Sequence, residues 1–202
     1  MTSAERREQL IAIARSTFAE RGVDGTTVEE IAARAEVSKP VIYEHFGGKE
    51  GLYAVVVDRE VRHLLDMMRS ALTAGHPREL LQQAAIALLD YIESSSDGFR
   101  ILVRDSPVGS PTGSFVSIIG DVASRVEDIL IGEFKTRGFQ TQYAPMYAQM
   151  LVGMVGTTGQ WWLDTRKPGK DVVAAHLVNL AWNGLSSLDT KPELLPRTQP
   201  PA

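Results

Sequence analysis

The stretch TTVEEIAARAEVSKPVIYEHFGGKEGL, residues 26–52, restricts the possible folds more than any other part of the chain. Thr27, with a glutamate three residues later, has the pattern of a capping box, which marks the start of an α-helix. Ser38 is a favourable N-cap for a second helix, and Pro40 fits its first turn, where no amide hydrogen bond is required. Two glycines end that helix, so it spans about residues 39–46 and is too short to be stable alone. The segment therefore predicts two short helices, joined by a tight turn, that pack against neighbouring helices.

The second of these helices has the size and the side chains of a DNA-contacting helix. The major groove of B-DNA admits one α-helix; lysine, tyrosine and histidine can donate hydrogen bonds there, and aliphatic side chains can contact a thymine methyl group. Ile42 and Phe46 are four residues apart and are expected to face the core. The residues that could contact DNA are Lys39, Val41, Tyr43, His45 and Lys49. From caps and periodicity alone, an ordinary surface helical hairpin is an equally good interpretation.

The segment closely resembles the DNA-binding domain of TetR-family transcriptional regulators. The features that match the family pattern are Gly22, Gly25, Thr27, Ile31, Ala32, Val37, Ser38, Tyr43, His45, Phe46, Lys49, Glu50 and Leu52. The resemblance covers about the first quarter of the chain, and with it the candidate DNA-binding set also includes Thr27, Ser38 and Pro40. It implies a sequence-specific DNA-binding regulator, most often a ligand-responsive repressor, that acts as a homodimer on a palindromic double-stranded DNA operator.

Two positions depart from that family pattern. Glu36 lies where the family often has glycine, at a turn where a left-handed backbone is expected, so the glutamate predicts a strained turn that costs about 1 kcal/mol. Gly48 lies where the family often has a side-chain cap, and glycine there loses the side-chain acceptor but little stability. Neither departure removes a DNA-contacting side chain.

The first part of the chain is acidic, which is unusual for a DNA-binding unit. Residues 1–60 contain eight Lys or Arg and eleven Asp or Glu. This balance argues against strong non-specific affinity, although charge placement rather than the sum sets the local field. Arg6 and Arg7 could form a basic arm that reaches phosphate or the minor groove, but solvated charges at a helix start are the more common outcome.

The remaining sequence predicts an all-α protein, with no alternating strand pattern and no internal repeat. We predict a helix-turn-helix DNA-binding domain at residues 1–48, a larger helical ligand-binding and dimerisation domain at residues 49–190, and a disordered tail at residues 191–202. A long helix at residues 49–74 connects the two domains, and a loop at residues 105–114, rich in proline and glycine, is the predicted mobile element. The other helices are predicted at residues 3–21, between Pro77 and Ser94, at 99–104, from 115 to the stop at Gly138, and at about 144–164 and 170–188.

The last two predicted helices have the composition of an interface. Residues 144–164 are mostly apolar, yet too polar for a membrane span, and Gly153, Gly156 and Gly159 leave one arc of the helix open to close approach. Together with residues 170–188 they could form half of a four-helix bundle across a twofold axis. The family resemblance implies the same homodimer.

Aromatic and methionine side chains of the C-terminal part are the candidates for a ligand pocket. Such residues fill cores more often than they contact ligands, so about a third of the set is expected to line a cavity. Trp161 and Trp162 are adjacent and cannot face the same side of a helix. An apolar lining predicts a small apolar or aromatic effector. The candidates are Tyr91, Phe99, Phe115, Met146, Tyr147, Met150, Met154, Trp161 and Trp162.

Other classes of function have less support. The sequence has no phosphate loop, nucleophile elbow or dinucleotide fingerprint, so no enzyme and no cofactor are expected. Four scattered histidines and no cysteine predict neither a metal site nor disulfides. Without a signal segment at residues 1–15, a cytoplasmic, nucleoid-associated protein is expected. A helical small-molecule-binding or protein-interaction domain with a vestigial helix-turn-helix stays open, because the first sixty residues are acidic.

Overall fold

The computed structural model describes residues 1–73, 75–104 and 115–194, and within these ranges the chain is helical with no β-strand. The all-α prediction is therefore confirmed for this part of the chain. The helices in chain order are α1 (Ser3–Arg21), α2 (Val28–Arg34), α3 (Lys39–Phe46), α4 (Lys49–Ala71), α5 (Pro77–Ser94), α6 (Ser96–Arg104), α7 (Phe115–Arg137), α8 (Ala144–Thr165) and α9 (Lys170–Ser186). A short 3₁₀ turn, Thr141–Tyr143, precedes α8.

Helices α1, α2 and α3 and the start of α4 enclose a filled apolar core. Because the core draws on four helices, the two short ones are stabilised by packing rather than by their own hydrogen bonds. Ile42 faces inward from α3 and Phe46 is partly buried against the same core, as predicted. The fully buried residues of this core include Leu10, Ala14, Phe18, Ile31, Ile42 and Leu52.

The predicted caps of α2 and α3 form only in part. The Thr27 hydroxyl accepts a hydrogen bond from the Glu30 amide at 3.2 Å, as predicted. The Glu30 carboxylate pairs instead with Arg21 and Arg34, each at 3.1 Å, so the returning half of the predicted capping box is wrong. Two guanidinium groups attract a carboxylate more strongly than one backbone amide does. Ser38 is the N-cap residue of α3, but its side chain makes no capping hydrogen bond.

The turn between α2 and α3 has a left-handed backbone at Glu36, where φ is 54°. The amide of Val37 donates to the carbonyl of Ala32 at 3.0 Å and closes the turn. A side chain in this region of backbone conformation costs about 1 kcal/mol more than glycine. The predicted left-handed turn is confirmed. Gly48, with φ 130°, precedes α4 without a side-chain cap.

Helix α4 belongs to both halves of the molecule. Its first turns supply Leu52 and Val56 to the N-terminal core, and Leu64 further along packs into the C-terminal core. The helix ends at Ala71, earlier than the predicted end at residue 74, because the backbone becomes extended at Leu72. Since one helix is shared, the predicted domain boundary after residue 48 remains a prediction.

The C-terminal half is a bundle in which α5 packs on α4, α6, α8 and α9, and α7 packs on α8. Its main core consists of large side chains from six helices, α4 to α9. A smaller apolar cluster joins α7 to α8 through Leu130, Phe134, Ala144 and Ala148. The buried residues of the main core include Leu89, Tyr91, Ile92, Phe99, Trp162 and Leu177.

Helix α6 begins at Ser96, three residues before the predicted start at Phe99. The Phe99 amide donates to the Ser95 carbonyl at 2.9 Å, so the polar run after α5 is the first turn of α6 rather than a long break. Gly98 thus lies inside a helix. Helix α9 ends at Ser186, two residues before the predicted end. The predicted loop at residues 105–114 and residues 195–202 of the predicted tail lie outside the described residues.

Candidate nucleic-acid interface and ligand cavity

The predicted DNA-contacting residues lie on α3 and on the starts of α2 and α4. Five members of the set are exposed, namely Thr27, Ser38, Lys39, Pro40 and Tyr43. The Tyr43 side chain is accessible to a phosphate oxygen because the residue is 55% exposed. Three further members of the predicted set are partly buried, namely Val41, His45 and Lys49.

Two lysines of the predicted set have partners within the protein. Lys39 pairs with Glu29 of α2, and the hydrogen bond from this lysine lowers the pKa of the Glu29 carboxyl. Lys49 donates from Nζ to the carbonyl of Val23 at 2.9 Å, which ties the start of α4 to the loop between α1 and α2. A phosphate that binds Lys39 must therefore compete with Glu29, whereas Lys49 also holds the loop before α2.

Arg6 and Arg7 do not form an arm that precedes the first helix. Both lie near the start of α1, which is capped by Thr2 through a hydrogen bond from the Glu5 amide at 3.2 Å. The Arg7 guanidinium lies over the ring of Phe46 at 4.9 Å, so α1 places this charge beside the end of α3. The alternative of a basic arm is wrong, because the capping box of α1 makes this segment helical.

Ion pairs with arginine neutralise several carboxylates of the N-terminal helices. Arg34 contacts Glu20 at 2.8 Å, and Arg59 of α4 pairs with Glu8 of α1. Hydrogen bonds from these two arginines lower the pKa values of the Glu20 and Glu8 carboxyls. These glutamate side chains contact arginines of neighbouring helices. Most of the acidic residues of the N-terminal helices are not on α3. Glu44, which sequence analysis did not include among the candidates, is the acidic residue that α3 exposes.

A buried polar contact joins α1, α4 and α5. The Glu60 carboxylate accepts hydrogen bonds from Arg15 Nε at 2.6 Å and from the Tyr91 hydroxyl at 2.8 Å. Burial and the nearby carboxylate raise the pKa of Tyr91, so the phenol stays protonated and donates. Gly98 of α6 leaves room for the contact, since a Cβ there would lie 1.8 Å from the nearer Glu60 oxygen. Sequence analysis missed this contact because helical periodicity does not show which residues of distant helices meet.

Two adjoining cavities lie between α4, α5, α7 and α8 of the C-terminal bundle. The smaller one has a volume of about 110 Å³, and its lining, among the residues that the structure describes, is aliphatic or methionine apart from one glycine. The larger one, about 510 Å³, extends toward α9 and includes the charged side chains of Arg69, Asp121 and Arg125. The described residues that line the smaller cavity are Leu64, Met68, Leu81, Ala84, Leu88, Val122, Val126, Leu151, Val152, Val155 and Gly156.

Of the nine predicted ligand-contacting residues, the eight whose side chains the structure describes do not line these cavities. Tyr91, Phe99 and Trp162 are buried in the main core, where the Trp162 indole donates to the Pro168 carbonyl at 2.8 Å. Tyr147 packs in the smaller cluster between α7 and α8, and Met154 packs against the main core. The side chain of Phe115 lies outside the described residues. The aliphatic lining had no distinctive signal in the sequence, because leucine and valine stripes are common to every core helix.

The other three candidates, Met146, Met150 and Trp161, are exposed on α8 by 46%, 56% and 51%. They recur at helical spacing and therefore lie along one side of the helix. Trp161 is exposed and Trp162 is buried, so the two do not face the same side of the helix, as predicted. Helix α9 exposes Val172 and Leu180 as well, by 47% and 65%. An apolar strip thus runs along two neighbouring helices.

Of the helices that the structure describes, none is both long and apolar enough to span a membrane. The fold and the site define a class: an N-terminal helix-turn-helix unit joined by a shared helix to a helical C-terminal bundle that contains a cavity. This is the architecture of one-chain DNA-binding regulators.

Comparison with known proteins identifies the family. A family model described as bacterial regulatory proteins, tetR family, matches residues 10–56, and a model described as tetracyclin repressor-like, C-terminal domain, matches residues 77–184. The chain therefore belongs to the TetR family, and it is a DNA-binding transcriptional regulator.

Two named relatives and one solved structure are similar to this chain over most of its length. The HTH-type transcriptional activator FasR of Mycolicibacterium smegmatis is 35% identical over 185 residues, which cover 90% of this chain and 84% of that protein. The HTH-type transcriptional repressor BepR of Brucella suis biovar 1 is 28% identical over 181 residues, covering 85% and 86%. The crystal structure of a TetR-like transcriptional regulator from Rhodococcus sp. RHA1 has a TM-score of 0.73 at 26% identity, covering 93% of this chain and 100% of that one.

Proposed function

We propose that the protein acts as a homodimer on a roughly palindromic operator and that a small apolar effector, bound in the cavities of the C-terminal bundle, changes its affinity for that operator. One observation supports the link most directly. Only two residues separate the end of α3 from the start of α4, and the same helix lines the smaller cavity with Leu64 and Met68. A ligand that displaces this part of α4 would also displace the end of the helix that adjoins α3.

In this proposal the first domain, residues 1–48, places α3 in the major groove. Lys39 and Tyr43 bind phosphate or base edges, Val41 contacts a thymine methyl group, and His45 and Lys49 bind phosphate. Thr27, Ser38 and Pro40 lie at the helix starts, where backbone amides approach the DNA backbone.

The second domain, residues 49–190, would pair two protomers through the exposed apolar strip of α8 and α9. Met150, Trp161 and Leu180 are large side chains that a monomer leaves in water. Gly153 and Gly184 have open space where a Cβ would be, so a partner helix could approach closely at both positions. Four helices around a twofold axis would bury the strip and hold the two copies of α3 about one DNA turn apart.

The effector we propose is a small, mostly apolar or aromatic molecule. The described lining of the smaller cavity offers it almost no hydrogen-bonding groups, whereas the larger cavity has charged groups at Arg69, Asp121 and Arg125. A ligand whose apolar end lies in the smaller cavity would keep its polar end near these side chains. The cavity-lining aliphatic residues thus take the place of the aromatic set as the proposed contact residues.

Two features of the proposal come from the family rather than from the site. We propose repression as the mode of action and the nucleoid in the cytoplasm as the place of action. The two curated relatives are named as an activator and a repressor, so expression from the protein's own promoter, measured with and without the gene, would decide the direction. We propose no catalytic activity.

The DNA-binding proposal is tested by gel retardation with the purified protein. DNA from its own promoter region should be retarded and random DNA of equal length should not. Lys39→Ala should weaken binding by roughly 5- to 30-fold, since a contact of about 1–2 kcal/mol is removed. Lys135→Ala, which removes an exposed lysine from the last turn of α7, is the matched control and should bind normally. Equal retardation of all DNA would contradict the proposal.

The dimer proposal is tested by the mass in solution, which should be near twice 22.1 kDa. Leu180→Glu places a charge in the apolar strip and should give monomers that lose operator affinity. Leu194→Glu alters another exposed leucine, 96% exposed and beyond α9, and should leave the dimer intact. A wild-type monomer at micromolar concentration would refute the dimer.

A further inference from the structure

We propose that Glu44 of α3 determines operator specificity by accepting a hydrogen bond from the amino group of a cytosine. This inference rests on the proposed insertion of α3 into the major groove, and it adds the chemistry of one base contact. Three observations support it: where Glu44 lies on the helix, what surrounds its carboxylate, and which base edges can donate to a carboxylate.

Glu44 lies on the side of α3 that points away from the protein. Ile42 is fully buried and marks the inward side of the helix. Each residue turns an α-helix by about 100°, so residues two positions before and after Ile42 both lie on the opposite side. These residues are Pro40 and Glu44, and both are exposed. Because proline has no hydrogen-bonding side chain, Glu44 supplies the polar atoms at the centre of the outward face.

The neighbours of Glu44 on α3 are displaced toward the edges of that face. Lys39 is drawn to Glu29 of α2. His45 is partly buried, with its ring 6.0 Å from that of Phe46. No described residue forms a hydrogen bond or ion pair with the Glu44 carboxylate, in contrast to Glu8, Glu20, Glu29, Glu30 and Glu60. The acceptor positions of this carboxylate are therefore open to DNA.

The chemistry of the base edges restricts what an unpaired carboxylate can bind. A carboxylate only accepts hydrogen bonds, and phosphate oxygens repel it. In the major groove guanine and thymine present acceptors, and adenine presents its amino group beside the N7 acceptor. Cytosine presents an amino donor without an adjacent acceptor. A glutamate at the centre of the outward face therefore favours a C·G pair and disfavours other pairs at that position.

The same carboxylate would lower affinity for unrelated DNA. At a site without the cytosine it faces acceptors and phosphates, or an adenine amino group beside the N7 acceptor, and these contacts are less favourable than the cytosine contact. The negative charge of Glu44 then lowers non-specific binding, while one specific contact is retained. Removal of the charge alone should thus have two separable effects, on base preference and on overall affinity.

The test is selection of operator half-sites from a randomised double-stranded library by the full-length wild-type protein and by Glu44→Gln. The wild type should enrich a C·G pair at one position of each half-site and prefer it over T·A by about 5- to 150-fold in direct titrations. Glu44→Gln should weaken that preference and shift enrichment toward adenine at this position alone, because an amide both accepts from the adenine amino group and donates to N7. Glu50→Gln, the same change at an exposed residue in the first turn of α4, is the control and should retain the wild-type preference.

The possible outcomes separate this inference from the proposed function. If the wild type enriches no sequence, the proposed operator binding fails and this inference fails with it. If the wild type enriches a half-site and Glu44→Gln tightens binding to all sequences equally, Glu44 acts only as a charge and the base contact is refuted. An unchanged profile for Glu44→Gln also refutes it, because the side chain then does not face the groove.

Discussion

The N-terminal helices and the C-terminal bundle differ in how completely side chains fill the space between the helices. The core formed by α1, α2, α3, the start of α4 and one residue of α6 has fully buried side chains, such as Leu10, Ile31 and Ile42, although a cleft of about 210 Å³ lies beside it between α1 and α4. The bundle is well packed around Trp162 and Leu177 but leaves cavities of about 110 and 510 Å³ between α4, α5, α7 and α8. A rigid unit suits a helix that must fit a groove of fixed width, and a hollow one suits a domain that must admit a ligand.

The contact among Arg15, Glu60 and Tyr91 lies between these two regions. It joins a helix of the filled core to a helix of the hollow bundle through the shared helix α4. Because one charged group and one neutral donor both depend on the same carboxylate, movement of either helix disturbs the contact. In the proposed mechanism, a movement of α4 or α5 in the bundle would therefore move the tightly packed N-terminal helices together, as one rigid body.

The largest expected difference between the two regions is in the response to truncation. Leu10→Ala should cost about 3–5 kcal/mol, because the side chain is fully buried in a core without space to collapse. Leu81→Ala, at the wall of the cavities, should cost about 1 kcal/mol, since part of the side chain already faces empty space. Urea unfolding followed by circular dichroism, at one protein concentration, measures both values. Equal costs would show that the cavities are closed in solution.

A smaller difference is expected when volume is added. Ala14→Leu inserts atoms into the filled core and should destabilise the protein by about 1–3 kcal/mol. Ala84→Leu adds the same atoms beside the cavities and should change stability by less than about 1 kcal/mol. The fluorescent probe anilinonaphthalenesulfonate should bind the wild type and Ala14→Leu, and bind Ala84→Leu at least several-fold more weakly. Unaltered probe binding by Ala84→Leu would place the probe elsewhere.

The smallest expected difference is in the dependence on pH. The pKa values of Glu8 and Glu20 are lowered from 4.5 by Arg59 and Arg34, so these groups stabilise the N-terminal helices above pH 4.5, and the contribution is lost as the pH falls through the lowered values. The pKa of Lys170 is raised from 10.5 by hydrogen bonds to Asp90 and Glu93, so its contribution in the bundle is present below pH 10.5 and is lost above it.

Spectroscopy can assign these two pH effects to the two regions. All three tryptophans, Trp161, Trp162 and Trp182, lie in α8 and α9, so tryptophan fluorescence reports the bundle, whereas circular dichroism reports every helix. In mild urea, acid should reduce the dichroism signal before the fluorescence changes, and Glu8→Gln should weaken that acid effect. If fluorescence changes first in acid, the assignment of the acid-sensitive groups to the N-terminal helices is wrong.

Much of the fold was predictable because helix ends depend on local chemistry. Gly22 after α1, Pro40 in the first turn of α3 and the glycines after Phe46 restrict the backbone wherever the chain lies. The bounds of α1 and α3 follow directly from these residues. The start of α6 was missed, since a run of serines with one glycine is compatible with either a break or a helical first turn.

The candidate DNA interface was also predictable from one short segment of the sequence, but the ligand cavity was not. Seven of the eight predicted DNA-contacting residues lie within residues 38–49, and the eighth, Thr27, caps the preceding helix, so one short segment defines them. The cavity is formed where Leu64 and Met68 of α4, Ala84 of α5 and Leu151 of α8 meet. Periodicity gives each helix an apolar side, but it does not specify which apolar side meets a filled neighbour and which meets a void.

The order of the helices, the turn before α3 and the family resemblance can therefore be read from the chain, because caps, glycines and a contiguous motif act over a few residues. The fold is needed to show that Trp162 is buried while Trp161 is exposed, that Glu60 meets Arg15 and Tyr91, and that the described lining of the smaller cavity is aliphatic. These properties depend on how distant helices cross, and a crossing is set by the packing of both partners at once.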